Sequence, residues 1–153
     1  MTSSSHRHDH APALAVNSAG HKRDERLNRV AMAVAERVTK LLESYIHRGA
    51  REVEIHDSIK QVLTLGKVRF EHEYRLSGRD RPDFFVEGLV VIEVKRNAAT
   101  DGVVLQLGRY AEHSQVRALI IATPKSTSLV GLPDEILGTP LYHAALPGPG
   151  LTL

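Results

Sequence analysis

The chain has 153 residues, of which 42% are hydrophobic and 25% charged, so it suits one compact domain with a modest appendage and excludes disorder throughout. It contains no cysteine, which excludes disulfides and thiolate metal sites and leaves oxygen or imidazole ligands for any bound metal. A formal net charge of only +2 excludes a uniformly basic nucleic-acid binder. Only a local cluster of basic residues could therefore indicate that the chain binds a nucleic acid.

The N-terminal residues 1–21 are rich in Ser, His and Ala and have no apolar period, which predicts a disordered tail. No apolar run approaches the roughly 18 residues of a membrane span, and the tail is polar where a signal peptide would be apolar. We therefore expect a cytoplasmic protein with no membrane association.

Segment 22–48 is predicted to be a long amphipathic helix, with its helical turns over residues 24–46. Apolar residues recur there at spacings of three and four: Leu27, Val30, Val34, Val38, Leu41 and Tyr45. The helix is longer than a small core needs. Two alternatives stay open: it packs across its own domain, or it packs against a second copy in a homodimer.

Residues 50–146 are predicted to form the main domain, and residues 147–153 a flexible tail. Helical periods cover residues 51–65, 101–113 and 134–137, while strand patterns cover 68–74, 82–86, 89–95, 118–123 and 141–146. The run 89–95 has lost its alternation, which is typical of a central strand buried on both faces. The order predicts an α/β fold whose central mixed sheet contains an antiparallel hairpin and is flanked by helices.

Glu93 and Lys95 stand at the end of this central strand. Side chains two residues apart point to the same side of a strand, so the two share a face. Burying both charges is costly unless they pair with each other or with a metal. A plain Glu-Lys ion pair remains the alternative to a functional site.

Asp83 can join them only if the hairpin turns through an odd number of residues. A two-residue connection at 87–88 would point Asp83 away from Glu93. A connection of residues 86–88, with Gly88 left-handed, sets Asp83 opposite Val91 and diagonal to Glu93, with Cβ atoms roughly 7 Å apart. We therefore predict the odd connection.

Two carboxylates at that separation can hold Mg²⁺, for which Mn²⁺ would substitute. Asp83 and Glu93 would supply oxygen ligands, and the carbonyl of Val94 a third. A water activated by the cation would attack a phosphodiester, with Lys95 directed at that water or at the phosphate.

The sequence Arg81-Pro82-Asp83, nine intervening residues, then Glu93-Val94-Lys95 resembles the motif of the PD-(D/E)XK nuclease superfamily. The resemblance covers about half of the chain and implies a restriction-endonuclease-like core. RecB-type members carry Gln-x-x-x-Tyr on the next helix, which corresponds here to Gln106 and Tyr110, on the DNA side of the site.

The resemblance also implies a metal-binding glutamate on the first core helix. Glu52 shares the stripe of Ile55 and Ile59 and ranks ahead of Glu54, although favourable acidic residues at a helix start explain either nearly as well.

Other charged residues near the motif are weighed separately. Three arginines flank the predicted cleft and are candidate phosphate contacts: Arg79, Arg81 and Arg96. His56 and His72 are interpreted as structural, since lone histidines on a helix or strand mostly are.

The sequence thus predicts a Mg²⁺-dependent deoxyribonuclease that binds DNA, and the resemblance places it in DNA repair or recombination. Two alternatives remain. One is a structure-selective dimeric endonuclease similar to Holliday-junction resolvases; the other is a catalytically inactive DNA-binding module with the same fold. A protein-interaction domain without bound metal is a third interpretation.

Overall fold

The computed structural model of the protein describes residues 13–99 and 102–150, with residues 13–23 as backbone only. The elements run in the order α1 (Ala13–Glu43), α2 (Glu52–Leu65), β1 (Phe70–His72), β2 (Phe84–Val86), β3 (Val90–Val94), α3 (Val103–Ala111), β4 (Ala118–Thr123), a 3₁₀ turn (Ser126–Leu129), β5 (Glu135–Ile136) and β6 (Thr139–Ala145). No helix in these ranges has both the length and the apolar character needed to cross a membrane.

The strands form one mixed sheet in the order β1-β2-β3-β4-β6-β5. β3, β4 and β6 are parallel, whereas β1, β2 and β5 each join antiparallel to a neighbour. The predicted α/β class with a central mixed sheet and an antiparallel hairpin is confirmed at this level.

The sheet is covered on both faces because its central strands are apolar at nearly every position. Every residue of β3 and β4 is buried. Ile92 belongs to a core shared with α1 and α2, while its neighbour Val91 belongs to a second core shared with α3. The C-terminal end of β3, near Glu93, therefore lies between α2 on one face of the sheet and α3 on the other.

α1 differs from its prediction in length and in the face it buries. It begins at Ala13, so residues 13–21, predicted to be disordered, are helical in backbone, in keeping with an alanine-rich segment; residues 1–12 lie outside the described range. The predicted stripe is wrong in part, since Val30 and Tyr45 are exposed and Ala31 and Ala35 are buried. The small side chains of these alanines let the helix approach the sheet closely. The buried face of α1 is therefore rotated from the one that the larger apolar residues predicted.

The segment before the last strand was predicted to be a short helix over residues 134–137, and that prediction is wrong. Glu135–Ile136 is a strand that pairs with the start of β6. Leu137 and Gly138 have positive φ values of 50° and 78°, a conformation that closes a tight hairpin and breaks a helix. At the C-terminal end, residues 151–153 of the predicted tail lie outside the described residues.

Candidate functional site

The hairpin between β2 and β3 connects its strands through an odd number of residues. Val86 pairs with Val90, which leaves residues 87–89 as the connection. Glu87 and Gly88 are left-handed, with φ of 51° and 66°, and close a tight turn with the Leu89 N–H bonded to the Val86 carbonyl at 3.0 Å. Leu89 then adds the extra residue. The predicted parity is confirmed, although the connection begins one residue later than predicted.

This register places Asp83 directly against Glu93. Asp83 lies one residue outside β2, and continuing the β2–β3 register sets it opposite Glu93 rather than opposite Val91, as predicted. Its N–H donates to Oε2 of Glu93 at 3.3 Å, and its own Oδ2 accepts the N–H of Val94 at 2.7 Å. The later start of the connection therefore brings the two acidic residues closer than the predicted diagonal.

Glu93 and Lys95 share a face, as expected. The Nζ atom of Lys95 lies 3.4 Å from Oε1 of Glu93, and the lysine side chain is 28% exposed against 4% for the glutamate. Burial, and then the charge of Asp83, raises the pKa of Glu93 to about 7. Burial also raises the pKa of Asp83, against the opposing effect of the hydrogen bond from Val94. Burial therefore favours the neutral form of each acid, and a positive charge nearby would favour its ionisation.

α2 brings two more side chains to the Asp83 carboxylate. Glu52 and His56 are one helical turn apart on this helix. The Nε2 atom of His56 lies 3.7 Å from Oδ2 of Asp83 and 3.8 Å from Oε1 of Glu52. One ligand atom from each of the three residues lies within 4.8 Å of the other two. We call these three side chains the Glu52–His56–Asp83 cluster.

One atom of this cluster lacks the partner that its burial requires. His56 is 9% exposed, and its Nε2 has no hydrogen-bond partner among the described residues. An unpaired buried polar atom costs roughly 1–3 kcal/mol. A nitrogen lone pair directed between two carboxylates is a suitable ligand for a divalent cation.

Sequence reasoning ranked Glu52 ahead of Glu54, and the structure separates the two acids in the same way. Glu54 accepts the backbone N–H groups of Ala50 and Arg51 at 2.9 and 3.0 Å and so caps its own helix. Glu52 is free of that role and faces His56. The sequence analysis interpreted His56 as structural, whereas the structure places its Nε2 within 4 Å of both Glu52 and Asp83; the sequence signal for this contact was its position four residues after Glu52.

A second histidine supports the first. The Nδ1 atom of His56 lies 3.0 Å from Nε2 of His72, across the gap between α2 and β1. The His72 ring also packs on Phe84, with ring centroids 4.9 Å apart. Burial, and then the nearby charge of Lys60, lowers the pKa of His72. The neutral form of His72 is therefore favoured beside the cluster.

α3 contributes the two residues of the predicted Gln-x-x-x-Tyr pair. Gln106 donates from Nε2 to the hydroxyl of Tyr110 at 3.0 Å, and Tyr110 is almost fully buried. Burial, and then the charge of Glu93, raises the pKa of the Tyr110 hydroxyl. The hydroxyl thus lies close to Glu93 and stays protonated at physiological pH.

The segment between β1 and Asp83 is fixed to α3 by a buried acid. Asp80 accepts hydrogen bonds from Nε2 of His113 at 2.9 Å and from Nε of Arg109 at 3.1 Å. The bond from His113, above all, lowers the pKa of Asp80. Arg79 and Arg81, on either side of Asp80, are exposed, as is Arg96 after Lys95. The three arginines are therefore accessible to solvent, and two of them lie on an anchored segment.

Comparison of the chain with models of protein families, with curated proteins and with solved structures gave no match.

Proposed function

We propose that the protein is a metal-dependent nuclease of the PD-(D/E)XK kind, which hydrolyses phosphodiester bonds of DNA. The observation that carries the proposal is the position of Asp83. On one side its backbone contacts Glu93, which is paired with Lys95. On the other side its carboxylate faces Glu52 and the unpaired nitrogen of His56. In this proposal Asp83 links the metal centre on one side to Lys95, whose ammonium group would contact the phosphate, on the other.

The residues present fit a divalent cation. The Glu52–His56–Asp83 cluster offers two carboxylates and one imidazole within reach of a single ion. The Val94 N–H points at Asp83, and in a strand the N–H and C=O of one residue point to the same neighbour, so the Val94 carbonyl lies on this side too. Glu93 adjoins the cluster, but its oxygens contact Lys95 and the Asp83 N–H.

The imidazole changes the expected choice of ion. Mg²⁺ prefers oxygen ligands and waters, whereas Mn²⁺ accepts a histidine nitrogen more readily. With His56 in the ligand set, Mn²⁺ should support activity at least as well as Mg²⁺. Either ion, when bound, would stabilise charge on the phosphate oxygens and make water more acidic.

The remaining side chains orient and stabilise the substrate. Lys95, partly exposed beside a buried acid, would contact the scissile phosphate and offset the negative charge that develops there. Tyr110 and Gln106 would hold Glu93 in position from the α3 side. Arg79, Arg81 and Arg96 would contact the phosphates of the DNA backbone.

The proposal is tested by incubating the purified chain with Mg²⁺, Mn²⁺ or EDTA. The substrates are supercoiled plasmid, linear duplex, single strands, a four-way DNA junction and RNA. We expect cation-dependent cleavage of DNA. Cutting of the closed plasmid would identify an endonuclease, and preference for the junction a resolvase-like enzyme.

Matched variants locate the activity. Asp83→Asn and Lys95→Met should each lower kcat about 100-fold or more, since the first removes the charge of a proposed metal ligand and the second removes the cation proposed to contact the scissile phosphate. Asp57→Asn, an exposed acid on the same helix as His56, should cleave like wild type. If the folded protein cuts none of the substrates with either cation, or if Asp83→Asn remains fully active, the proposal is wrong.

A further inference from the structure

The two histidines at the site contact each other in a way that constrains where their protons lie. His56 presents Nδ1 to Nε2 of His72 at 3.0 Å and presents its buried Nε2 to the carboxylates of Glu52 and Asp83. A neutral imidazole carries one N–H and one lone pair, so its two nitrogens cannot both donate. The contact with His72 therefore selects what His56 offers to the cluster.

Only one arrangement leaves a lone pair facing the cluster. The proton of His56 must be on Nδ1, which then donates to His72, and His72 must accept at Nε2 and carry its own proton on Nδ1. If His72 instead donates from Nε2, the lone pair of His56 is used at Nδ1 and its proton points at the carboxylates. In that second arrangement Nε2 faces the carboxylates with its proton and cannot bind a cation.

We propose that His72 is a positioning residue that holds His56 in the Nδ1–H tautomer and so keeps Nε2 available as a metal ligand. This inference rests on the proposed function, because it takes His56 as a ligand. The fold holds His72 in place, since this residue lies in β1 and pairs with Phe84 of β2. The rings of both histidines contact the ring of Phe84. His72 therefore has little freedom to turn its acceptor away from His56.

The first measurement uses the wild-type chain. Nitrogen-15 shifts of the histidine side chains, recorded at pH 8 with His56→Gln for assignment, report which ring nitrogen carries the proton. We expect the Nδ1–H form of His56, even before metal is added. A His56 ring protonated on Nε2 in the presence of saturating Zn²⁺ or Mg²⁺ would overturn the proposal, whatever the activity of the protein.

The second measurement is Mn²⁺ binding by calorimetry. His72→Leu removes the acceptor and should weaken Mn²⁺ binding about 10- to 100-fold. His72→Gln places an amide oxygen near the position of Nε2 and should restore binding to within about 3-fold of wild type. His143→Gln, a histidine at the far side of the sheet, serves as the control for loss of an imidazole.

The outcomes separate this inference from the proposed function. If His56→Gln weakens Mn²⁺ binding strongly while His72→Leu binds like wild type, His72 has no positioning role and the metal centre stands. If neither His56→Gln nor Asp83→Asn changes Mn²⁺ binding, the metal centre itself is wrong. If His72→Leu does not fold, equal weakening in His72→Gln and His72→Asn would contradict the proposal, because only glutamine reaches the position of Nε2.

Discussion

Asp83 contacts both the Glu93–Lys95 pair and His56 of the Glu52–His56–Asp83 cluster because its side chain is short and its carboxylate is held in place. Its Oδ2 accepts the backbone N–H of Val94 at 2.7 Å and faces His56 at 3.7 Å. A glutamate would place its oxygens one methylene farther out and could not keep both contacts without moving the strand end. An asparagine retains an oxygen that can accept from Val94 but loses the charge. Asp83→Asn is therefore the variant that tests chemistry with the least effect on the fold.

Glu93 should limit the stability of the metal-free protein as the pH rises. Its pKa is raised from 4.5 to about 7 in the folded state, so between these values the folded chain binds more protons than the unfolded chain. The free energy of unfolding therefore falls with rising pH, by about 3 kcal/mol once pH 7 is passed. Glu93→Gln should remove this fall, and in EDTA at pH 8 it should be more stable than wild type.

Urea unfolding from pH 5 to pH 8 in EDTA measures this effect. Glu43→Gln, an exposed acid on α1, provides the control and should follow the wild-type curve. Saturating Mn²⁺ should restore the stability of wild type at pH 8 by mass action. Parallel pH curves for wild type and Glu93→Gln would show that Glu93 is not destabilised by its burial.

At the scale of elements, the β2–β3 hairpin decides whether a site exists. Leu89 is the extra residue that keeps Asp83 and Glu93 on one side of the sheet. The turn before it depends on two left-handed residues, of which Glu87 is compensated by hydrogen bonds from Arg69 at 3.0 Å. Gly88 has no such compensation and relies on the absence of a side chain.

Gly88→Ala should therefore lower the free energy of unfolding by about 1–2 kcal/mol, since its φ of 66° is strained for an L-residue. Nothing lies within 4 Å of the added methyl group, so the cost is one of backbone conformation alone. Mn²⁺ affinity should be unchanged, because burial of Phe84 and Val86 fixes the register independently.

Gly78→Ala is the matched control for this prediction. Gly78 also has open space around it but does not have a positive φ in the strained range. Its substitution should leave stability unchanged or slightly raised. Equal effects of the two substitutions in chemical unfolding would contradict a role for the left-handed turn.

Local pattern was sufficient for the elements that build the site and insufficient for those defined by tertiary pairing. The apolar run of β3 and the bounds of β4 follow from sequence, because burial on both faces leaves a continuous signal. β5 has two residues and exists only through its pairing with β6. Likewise, His56 meets His72 only because the fold brings α2 and β1 together, a contact that no local period indicates.

At the scale of the whole molecule, the charges near the site have opposite signs and separate places. The net charge is only +2, and the acids of the site are gathered between α2 and α3. The exposed arginines Arg79 and Arg81 lie on the segment that Asp80 fixes to α3. In the proposed nuclease, the backbone of bound DNA would therefore meet the positive charge of these arginines on the α3 side before its phosphate reaches the acids.

Removal of these charges should change how DNA binding responds to salt. In an Asp83→Asn background, chosen to suppress the proposed cleavage, we expect Arg79→Ala, Arg81→Ala and Arg96→Ala each to weaken DNA binding. Each should also reduce the slope of log K against log salt by about 0.9, the value for one lost phosphate contact on duplex DNA. The effect should be the same for DNA of different sequence, because contacts to phosphate do not read bases.

Fluorescence anisotropy with a labelled duplex in Ca²⁺, over a range of potassium chloride concentrations, measures the slope. Arg29→Ala, an exposed arginine on α1 at the opposite face of the sheet, should leave it unchanged, and an equal change in that variant would mean that DNA does not approach from the α3 side.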